Sequence, residues 1–383
     1  MNLTGSETRL HLDPTDIFVL RNSSQLLTHD NKFTEFQLKD VSNYVDEMEM
    51  LKRKSVVVTI VVIYVIVIVL GTLGSTLVFV TVLKTRAMWN ATNTFIANLA
   101  VADIFVCSFD LPLTLYYQLT EDWVFSRPLC HVIPAMFAIT NYSSTLTLAV
   151  IAIDRYLLIV CPLKPKISGK MAVVIVVLIG LLSTAASTPI AVYATYFDIH
   201  LEVYQIRRRY CTENWPNALS RQIFTALSLL LQFFIPLIVI ALLYYLIFVR
   251  LRRRVNTKQN AGKTRTNKML LAVVSVFAVT WLPYNILTIC SEFWNYQVTG
   301  RYFRMTDLLL RVLALSSSCI NPFLYGWMNR NFRLAFLAIL RQHLHSGALT
   351  IDGEQSLPQQ HSLQQLQKQD VQQKHGTSNM EMK

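Results

Sequence analysis

Charged residues are scarce in this sequence: Asp, Glu, Lys and Arg together make up 15% of its 383 residues. Soluble globular domains contain about 25% charged residues. Hydrophobic residues, by contrast, account for 53% of the chain. This imbalance excludes an ordinary soluble globular protein and indicates that much of the chain lies in a membrane.

Several signatures of enzymes and transporters are also missing. Four of the eight histidines, His131, His200, His343 and His345, are scattered over loops and helix ends. They do not cluster with acidic residues or cysteines, which argues against metal chemistry. There is no recognisable Ser/His/Asp triad or phosphate-binding glycine loop, so we do not expect an enzyme. The last apolar stretch has no lysine for a retinal Schiff base. A polytopic transporter is the alternative from another class, but the sequence has no internal repeat.

Seven apolar stretches are present instead. A helix needs about 20 predominantly apolar residues to cross the hydrocarbon of a bilayer. The stretches are residues 56–83, 94–117, 129–160, 171–193, 223–249, 268–290 and 305–327. They predict an all-α fold, a bundle of seven transmembrane helices with the two chain termini on opposite sides.

The basic residues predict the orientation of this bundle. With the amino terminus outside, the inner loops carry more than twice as many Lys and Arg residues as the short outer loops. Lys52, Arg53 and Lys54 disagree locally, but the sum over the loops outweighs them. We therefore expect a multi-pass plasma-membrane protein with a cytoplasmic carboxyl terminus. The net charge of +12 lies mostly on the cytoplasmic face. It favours anionic lipid and an acidic protein surface, and it does not imply nucleic acid.

The two ends of the chain differ in composition from the transmembrane domain, residues 55–328. Residues 1–54 are polar and lack the apolar core of a signal peptide, so we expect a disordered extracellular tail, glycosylated at Asn2 and Asn22. In residues 329–341, Phe332 and Phe336 recur at helical spacing among arginines, which predicts an amphipathic helix along the membrane. Residues 342–383 are Gln-rich and are predicted to be a disordered cytoplasmic tail, with serines as candidate phosphorylation sites for arrestin binding.

The six cysteines are divided by the predicted topology. Three lie within spans, and Cys161 lies on the cytoplasmic side, where thiols stay reduced. This leaves Cys130, at the outer start of the third span, and Cys211, in the second outer loop. We predict a disulfide between them that holds this loop over the mouth of the bundle.

Polar motifs and prolines occur inside the spans, where polar groups are costly. They are Asp103 in the second span, Asp154-Arg155-Tyr156 at the end of the third, Phe277, Trp281 and Pro283 in the sixth, and Asn321-Pro322-Phe323-Leu324-Tyr325 in the seventh. Pro236, Pro283 and Pro322 each remove a helix hydrogen bond and permit a kink. Together these motifs resemble the rhodopsin-like (class A) family of G-protein-coupled receptors over residues 56–341.

The resemblance implies an activation switch. Arg155 is held by Asp154 in the resting state and turns toward Tyr244, Tyr325 and the G protein on activation. Aromatic residues of the sixth span relay ligand movement to the kink. The residues implied in coupling and activation are Asp154, Arg155, Tyr156, Tyr244, Phe277, Trp281, Pro283, Asn321, Pro322 and Tyr325.

The resemblance also implies an interior sodium pocket in which Asp103 supplies the carboxylate. The matching positions are Asp103, Ser144, Trp281, Ser318 and Asn321. A sodium ion is thus expected as an allosteric modulator, and no other cofactor is expected.

Longer stretches of the sequence restrict the resemblance to a smaller group of receptors. Residues 211–216, 231–237 and 316–327 look like the neuropeptide Y and neuropeptide F receptors. Ligands of those receptors end in an Arg followed by an amidated aromatic residue, so the implied partners are a cationic, amidated extracellular peptide and a heterotrimeric G protein. Glu292 stands where the family has an acidic residue that pairs with a ligand arginine. A tachykinin-like or RFamide-like peptide is the alternative.

The predicted ligand pocket departs from the family at two positions. Its residues are Thr114, Tyr117, Gln118, Phe137, Thr288, Glu292, Asp307 and Arg311. Phe137 replaces a Gln and stands where monoamine receptors have Asp, so a simple amine ligand is not expected. Arg311 replaces a His and needs a partner inside the bundle. Asp307, one turn earlier on the same face, and Asp110, at comparable depth in the second span, are both candidates.

Two positions important for packing also depart from the family pattern. Ser75 stands where Asn is usual in the first span, and Gly180 stands where Trp is usual in the fourth. These departures concern helix packing more than signalling.

Overall fold

Seven long helices correspond to the seven apolar stretches. The computed structural model describes residues 53–120, 122–201, 206–252, 258–294, 302–329 and 332–339. The helices are α1 (Lys54–Lys84), α2 (Ala91–Thr120), α3 (Arg127–Ile159), α4 (Gly169–Tyr193), α5 (Ala218–Leu251), α6 (Lys258–Phe293) and α7 (Phe303–Met328). A short 3-10 turn, Arg86–Met88, lies between α1 and α2. All seven are long and apolar enough to cross a membrane, which confirms the predicted bundle.

Helix starts follow from local sequence chemistry. The side chains of Asn90, Ser168 and Asn217 each accept a hydrogen bond from the backbone N–H three residues later, which caps α2, α4 and α5. Two helices begin well before the predicted apolar stretch, α5 at Ala218 and α6 at Lys258, whereas the other five begin within three residues of it. The polar residues at these starts extend the helix beyond the apolar stretch, which is why hydropathy alone missed them.

Two of the helices contain a π-helical turn that the sequence analysis did not predict. These turns are Val106–Asp110 in α2 and Leu230–Phe234 in α5. Pro112 and Pro236 follow directly behind them. Because proline has no N–H, the surrounding helix must redistribute its hydrogen bonds, and a π turn is one way to do so. The prolines Pro283 and Pro322 lie inside α6 and α7.

Burial separates inner from outer helices. In the most apolar windows of α1, α4 and α5, 22% of the residues are buried, against 56% in α2 and 50% in α3 and α7. The apolar side chains exposed on the outer helices match a lipid environment. The inner helices therefore carry the polar motifs, and the outer helices enclose them.

Glycines let α1 approach its neighbours closely. A Cβ at Gly71 would overlap the Cys107 sulfur on α2, and one at Gly74 would lie 2.8 Å from Cγ of Pro322 on α7. Ser75 is fully buried beside them, and its hydroxyl has no hydrogen-bond partner in the described part of the chain. A Cβ at Gly180 would meet no atom within 4 Å, so the position where a Trp is usual faces open space.

A β-hairpin covers one end of the bundle. Strand β1 (Ala194–Leu201) pairs antiparallel with β2 (Ile206–Glu213), with Tyr196 opposite Cys211. The topology predicted from the sequence places a loop here, although β-branched and aromatic residues are frequent in β1. We call the bundle end that carries Cys130 and the hairpin the disulfide end, and the opposite end the Arg155 end.

A last helix, α8, comprises residues 332–339. Phe332 is fully buried and stacks on Tyr325, with ring centroids 5.6 Å apart, and Phe336 packs edge-on against Phe332. The chain divides into two units after Phe336, and the sites below lie in the first. The remainder of the predicted helix 329–341, the sequons at Asn2 and Asn22 and the tail 342–383 lie mainly or wholly outside the described residues.

Candidate functional site

The predicted disulfide is present at the mouth of the bundle. Cys130 in the first turns of α3 is bonded to Cys211 in β2. The hydroxyl of Tyr117 on α2 donates to the carbonyl of Cys211 at 3.2 Å and accepts from its N–H at 3.3 Å. Tyr117, predicted as a ligand residue, thus fixes the bridged strand against α2.

A second connection to the hairpin was not predicted. The Asp122 carboxylate accepts from Arg209 Nε at 3.1 Å, from its Nη2 at 2.6 Å and from its backbone N–H at 3.0 Å. The neighbouring Trp123 is 3% exposed and packs on Tyr117 and Cys130. Bidentate Arg–carboxylate contacts are strong and directional. This contact therefore sets where β2 lies over the bundle.

Glu292 lies at the disulfide end, in the last turn of α6. Its side chain is 9% exposed, and its Oε1 is 2.8 Å from Nε of Arg221 at the start of α5. The adjacent Gln222 donates to the backbone carbonyl of Glu292 at 3.2 Å. The sequence does not predict Arg221 as the partner, because residues 71 positions apart give no local signal.

Arg311 on α7 is enclosed by an acid and two aromatic rings. Its Nη2 is 3.5 Å from Asp307 Oδ2, and its guanidinium lies 5.4 Å from the centre of the Phe137 ring and 5.3 Å from that of Tyr284. Gln118 on α2 donates to the same Asp307 oxygen at 3.2 Å. Asp307 is therefore the partner, and Arg311 forms no ion pair with the other candidate, Asp110.

Asp110 has unused hydrogen-bonding capacity. Its Oδ1 accepts a long 3.5 Å hydrogen bond from Thr114, while its buried Oδ2 has no partner within the described residues, and neither has Nε of Arg311. Thr288, another predicted pocket residue, donates to its own helix at the Tyr284 carbonyl. Of the predicted pocket residues, Gln118, Phe137, Asp307 and Arg311 are thus in contact with one another, and Asp110 and Arg311 contribute an unpaired acceptor and an unpaired donor.

Stacked aromatic rings connect this pocket with the bundle centre. Phe137 and Trp281 are stacked with centroids 6.5 Å apart, and Trp281 and Phe277 with centroids 5.6 Å apart. Phe277 in turn approaches Phe233 on α5 at 6.3 Å. Arg311 also lies over Phe137, so its guanidinium is in contact with the stack that leads to the middle of α6.

Asp103 borders an interior cavity below these rings. Its Oδ1 accepts from Ser318 at 2.6 Å and its Oδ2 from Asn321 at 3.2 Å. The cavity leaves about 20 Å³ for the centres of water-sized molecules, more than the roughly 10–15 Å³ that one water requires. Ser144 and Asn141 also line it. A carboxylate, hydroxyls and amides around so small a space fit a small hard cation.

The Arg155 end holds the expected arginine–aspartate contact. Arg155 Nη2 is 2.8 Å from Asp154 Oδ2, and Thr92 on α2 donates to the same oxygen at 2.8 Å. The buried hydroxyls of Tyr244 and Tyr325 have no hydrogen-bond partner in the described part of the chain. Thr92 was not predicted, because its contact joins two helices far apart in sequence. Tyr156 packs on the apolar cluster at this end.

Seven apolar helices, a disulfide-tied hairpin and these polar motifs define the class of protein. Residues 74–325 match the model of the 7 transmembrane receptor (rhodopsin family). The chain belongs to this family of G-protein-coupled receptors, which are multi-pass proteins of the plasma membrane.

Comparison with individual proteins indicates a narrower group within this family. The chain is 35% identical to neuropeptide Y receptor type 2 of Homo sapiens over 298 residues, 76% of this chain and 78% of the relative. The receptor of the same name from Macaca mulatta gives the same values. That of Gallus gallus is 34% identical over 282 residues, 72% of this chain and 73% of the relative.

Proposed function

We propose that this receptor binds an extracellular, carboxyl-terminally amidated peptide of the neuropeptide Y or neuropeptide F kind and activates a heterotrimeric G protein. Similarity to neuropeptide Y receptors supports a peptide ligand. The observation that carries the proposal is the buried carboxylate of Glu292 at the disulfide end, which suits a cationic group of the peptide. A carboxylate held in this environment attracts a guanidinium more strongly than one in water does.

The orientation follows from the distribution of basic residues. The disulfide end is extracellular and the Arg155 end cytoplasmic, because the loops at the Arg155 end contain more than twice as many Lys and Arg residues as the short loops at the disulfide end. The disulfide is consistent with this orientation, since such bonds persist in oxidising compartments. The peptide therefore enters beside the hairpin, and the G protein meets Arg155.

The path between the two faces uses the described contacts. The peptide displaces side chains around Arg311 and Phe137, and the stacked rings pass the displacement to Trp281 and Phe277 on α6. At the Arg155 end, the two unpaired tyrosine hydroxyls offer new hydrogen-bond partners when Arg155 leaves Asp154. Arrestin and anionic lipid are further partners on this basic face.

A sodium ion in the Asp103 cavity is part of the proposal. The carboxylate can accept more hydrogen bonds or metal contacts than the two it already has, and Ser144, Ser318, Asn141 and Asn321 supply further oxygens. Bound there, the ion supplies a positive charge that neutralises Asp103. Peptide affinity should then depend on NaCl at constant ionic strength, and this dependence should be lost in Asp103→Asn.

The test of ligand class uses cells that express the chain. Cyclic AMP and calcium are recorded while the cells receive amidated peptides of the neuropeptide Y, neuropeptide F, tachykinin and RFamide types, each paired with its free-acid form. We expect responses to amidated peptides with an arginine next to the terminal aromatic residue. A response confined to tachykinin-like peptides, or equal potency of amides and free acids, contradicts the proposal.

The role of Glu292 is tested with the same cells. Truncating one partner of a desolvated charge pair costs about 2–5 kcal/mol, so Glu292→Ala should weaken an arginine-containing peptide at least about tenfold. A peptide with citrulline in place of that arginine should lose much less. If both peptides lose the same amount, Glu292 does not contact the arginine.

A further inference from the structure

Two hydrogen bonds join the start of α5 to Glu292, near the end of α6. Arg221 contacts the carboxylate and Gln222 contacts the backbone carbonyl of that residue. The two members of the ion pair differ in exposure: the Glu292 side chain is 9% exposed, and that of Arg221 is 39% exposed. The acid is therefore the fixed, buried member, and the arginine is the member that can leave.

Other contacts hold the first turns of α5 without Arg221. Asn217 caps the helix by accepting from the Ser220 N–H at 2.7 Å. Trp215 packs between Tyr193 on α4 and Phe224 on α5, with its ring centroid 4.3 Å and 5.0 Å from theirs. Loss of the Arg221 guanidinium from Glu292 therefore does not remove what positions this helix.

The ion pair is also incomplete for an arginine. Within the described residues, Arg221 meets the carboxylate through Nε alone, at one oxygen. A guanidinium that approaches end-on makes two parallel N–H···O bonds with a carboxylate, which is stronger and more directional. A buried carboxylate also strongly disfavours being left unpaired. A second guanidinium can thus approach the free side of the carboxylate while Arg221 leaves, so that Glu292 is paired with a cation throughout the exchange.

We propose that Arg221 is a built-in competitor for the ligand: its guanidinium occupies Glu292 in the free receptor, and the cationic group of the peptide displaces it. This inference rests on the proposed function, since it requires a peptide with a cationic group. Arg221 then sets how strongly the receptor selects cationic peptides, because the ligand gains only the difference between its own contact with Glu292 and that of Arg221.

The test compares two synthetic peptides on the full-length receptor in membranes. One ends in Arg-Tyr-amide and the other in citrulline-Tyr-amide, in which a neutral group of the same shape replaces the guanidinium. Arg221→Gln removes the competing charge, and Gln222→Ala is the matched control that removes only the neighbouring hydrogen bond. Half-exposed pairs are worth up to about 1 kcal/mol, which corresponds to roughly fivefold in affinity.

In Arg221→Gln the arginine peptide should therefore bind about fivefold more tightly, while the citrulline peptide changes little, so that the affinity ratio of the two peptides rises. Gln222→Ala should leave this ratio unchanged. Arg221→Lys retains a competing cation and should behave closer to the wild type. Surface expression and thermal stability are measured for each variant. If Arg221→Gln does not reach the surface, the test uses the affinity ratio of the two peptides in Arg221→Lys and in a second neutral variant, Arg221→Met.

Two results overturn the inference in distinguishable ways. If the wild-type receptor binds the arginine peptide but the ratio does not rise in the neutral Arg221 variants, Arg221 is a structural brace and the inference alone fails. If the wild-type receptor binds neither peptide, the proposed ligand class fails and the inference fails with it.

Discussion

Replacing one member of the Arg311–Asp307 pair should destabilise the receptor, and replacing both should restore part of the loss. The side chains of Arg311 and Asp307 are 17% and 12% exposed, so water screens the pair little. Removing one partner of a buried pair leaves the other charge uncompensated, a cost of about 3–5 kcal/mol. We choose Arg311→Met and Asp307→Asn, which remove the charges with small changes in shape.

The neighbouring contacts set the size of each loss. After Arg311→Met, Asp307 keeps the hydrogen bond from Gln118, which places the expected cost near the lower limit, about 3 kcal/mol. After Asp307→Asn, the guanidinium keeps the faces of Phe137 and Tyr284, contacts worth about 0.5–2 kcal/mol each. This loss should therefore be smaller, about 2 kcal/mol.

The assay is a double-mutant cycle on detergent-solubilised receptor, read as the free energy of unfolding and checked by surface expression. The double variant should be more stable than the sum of the single losses predicts by about 2 kcal/mol. Asp110→Asn combined with Arg311→Met is the control, because Asp110 forms no ion pair with Arg311 in the structure. Additive losses for the Asp307 cycle, or stronger coupling to Asp110, would refute the assignment of the partner.

Three further predictions follow from packing and from the hairpin. Cys211→Ser should abolish surface binding of the peptide, since losing a native disulfide costs about 2–5 kcal/mol, whereas Cys290→Ser should bind normally; equal tolerance contradicts the pairing. Gly74→Ala should lower thermal stability by about 1–3 kcal/mol through overpacking, while Gly180→Ala, with open space around it, should not, and a tolerated Gly74→Ala would show that α1 can move. Asp122→Ala should speed amide hydrogen exchange in β2, as measured by mass spectrometry, because three hydrogen bonds to Arg209 are lost; unchanged exchange would mean that the disulfide alone holds the strand.

The sequence by itself determined the features that depend on composition and local spacing. Seven spans follow from apolar length, because a bilayer admits few other structures. The Cys130–Cys211 bridge follows from topology, which excludes the other thiols. Asp103 and Asp154-Arg155 could be identified because a charge inside a membrane span is costly and therefore conspicuous.

The tertiary structure decided which of these polar groups meet. Arg311 had two acids at similar depth, and the choice of Asp307 depends on side-chain positions around α7 that no spacing rule fixes. The contacts of Arg221 with Glu292 and of Thr92 with Asp154 join helices distant in sequence, so no periodic pattern reveals them. Hydropathy is a property of each segment taken alone. These pairs depend instead on the rotation of each helix about its axis and on its shift along that axis relative to its neighbours. Only the packed bundle determines that geometry.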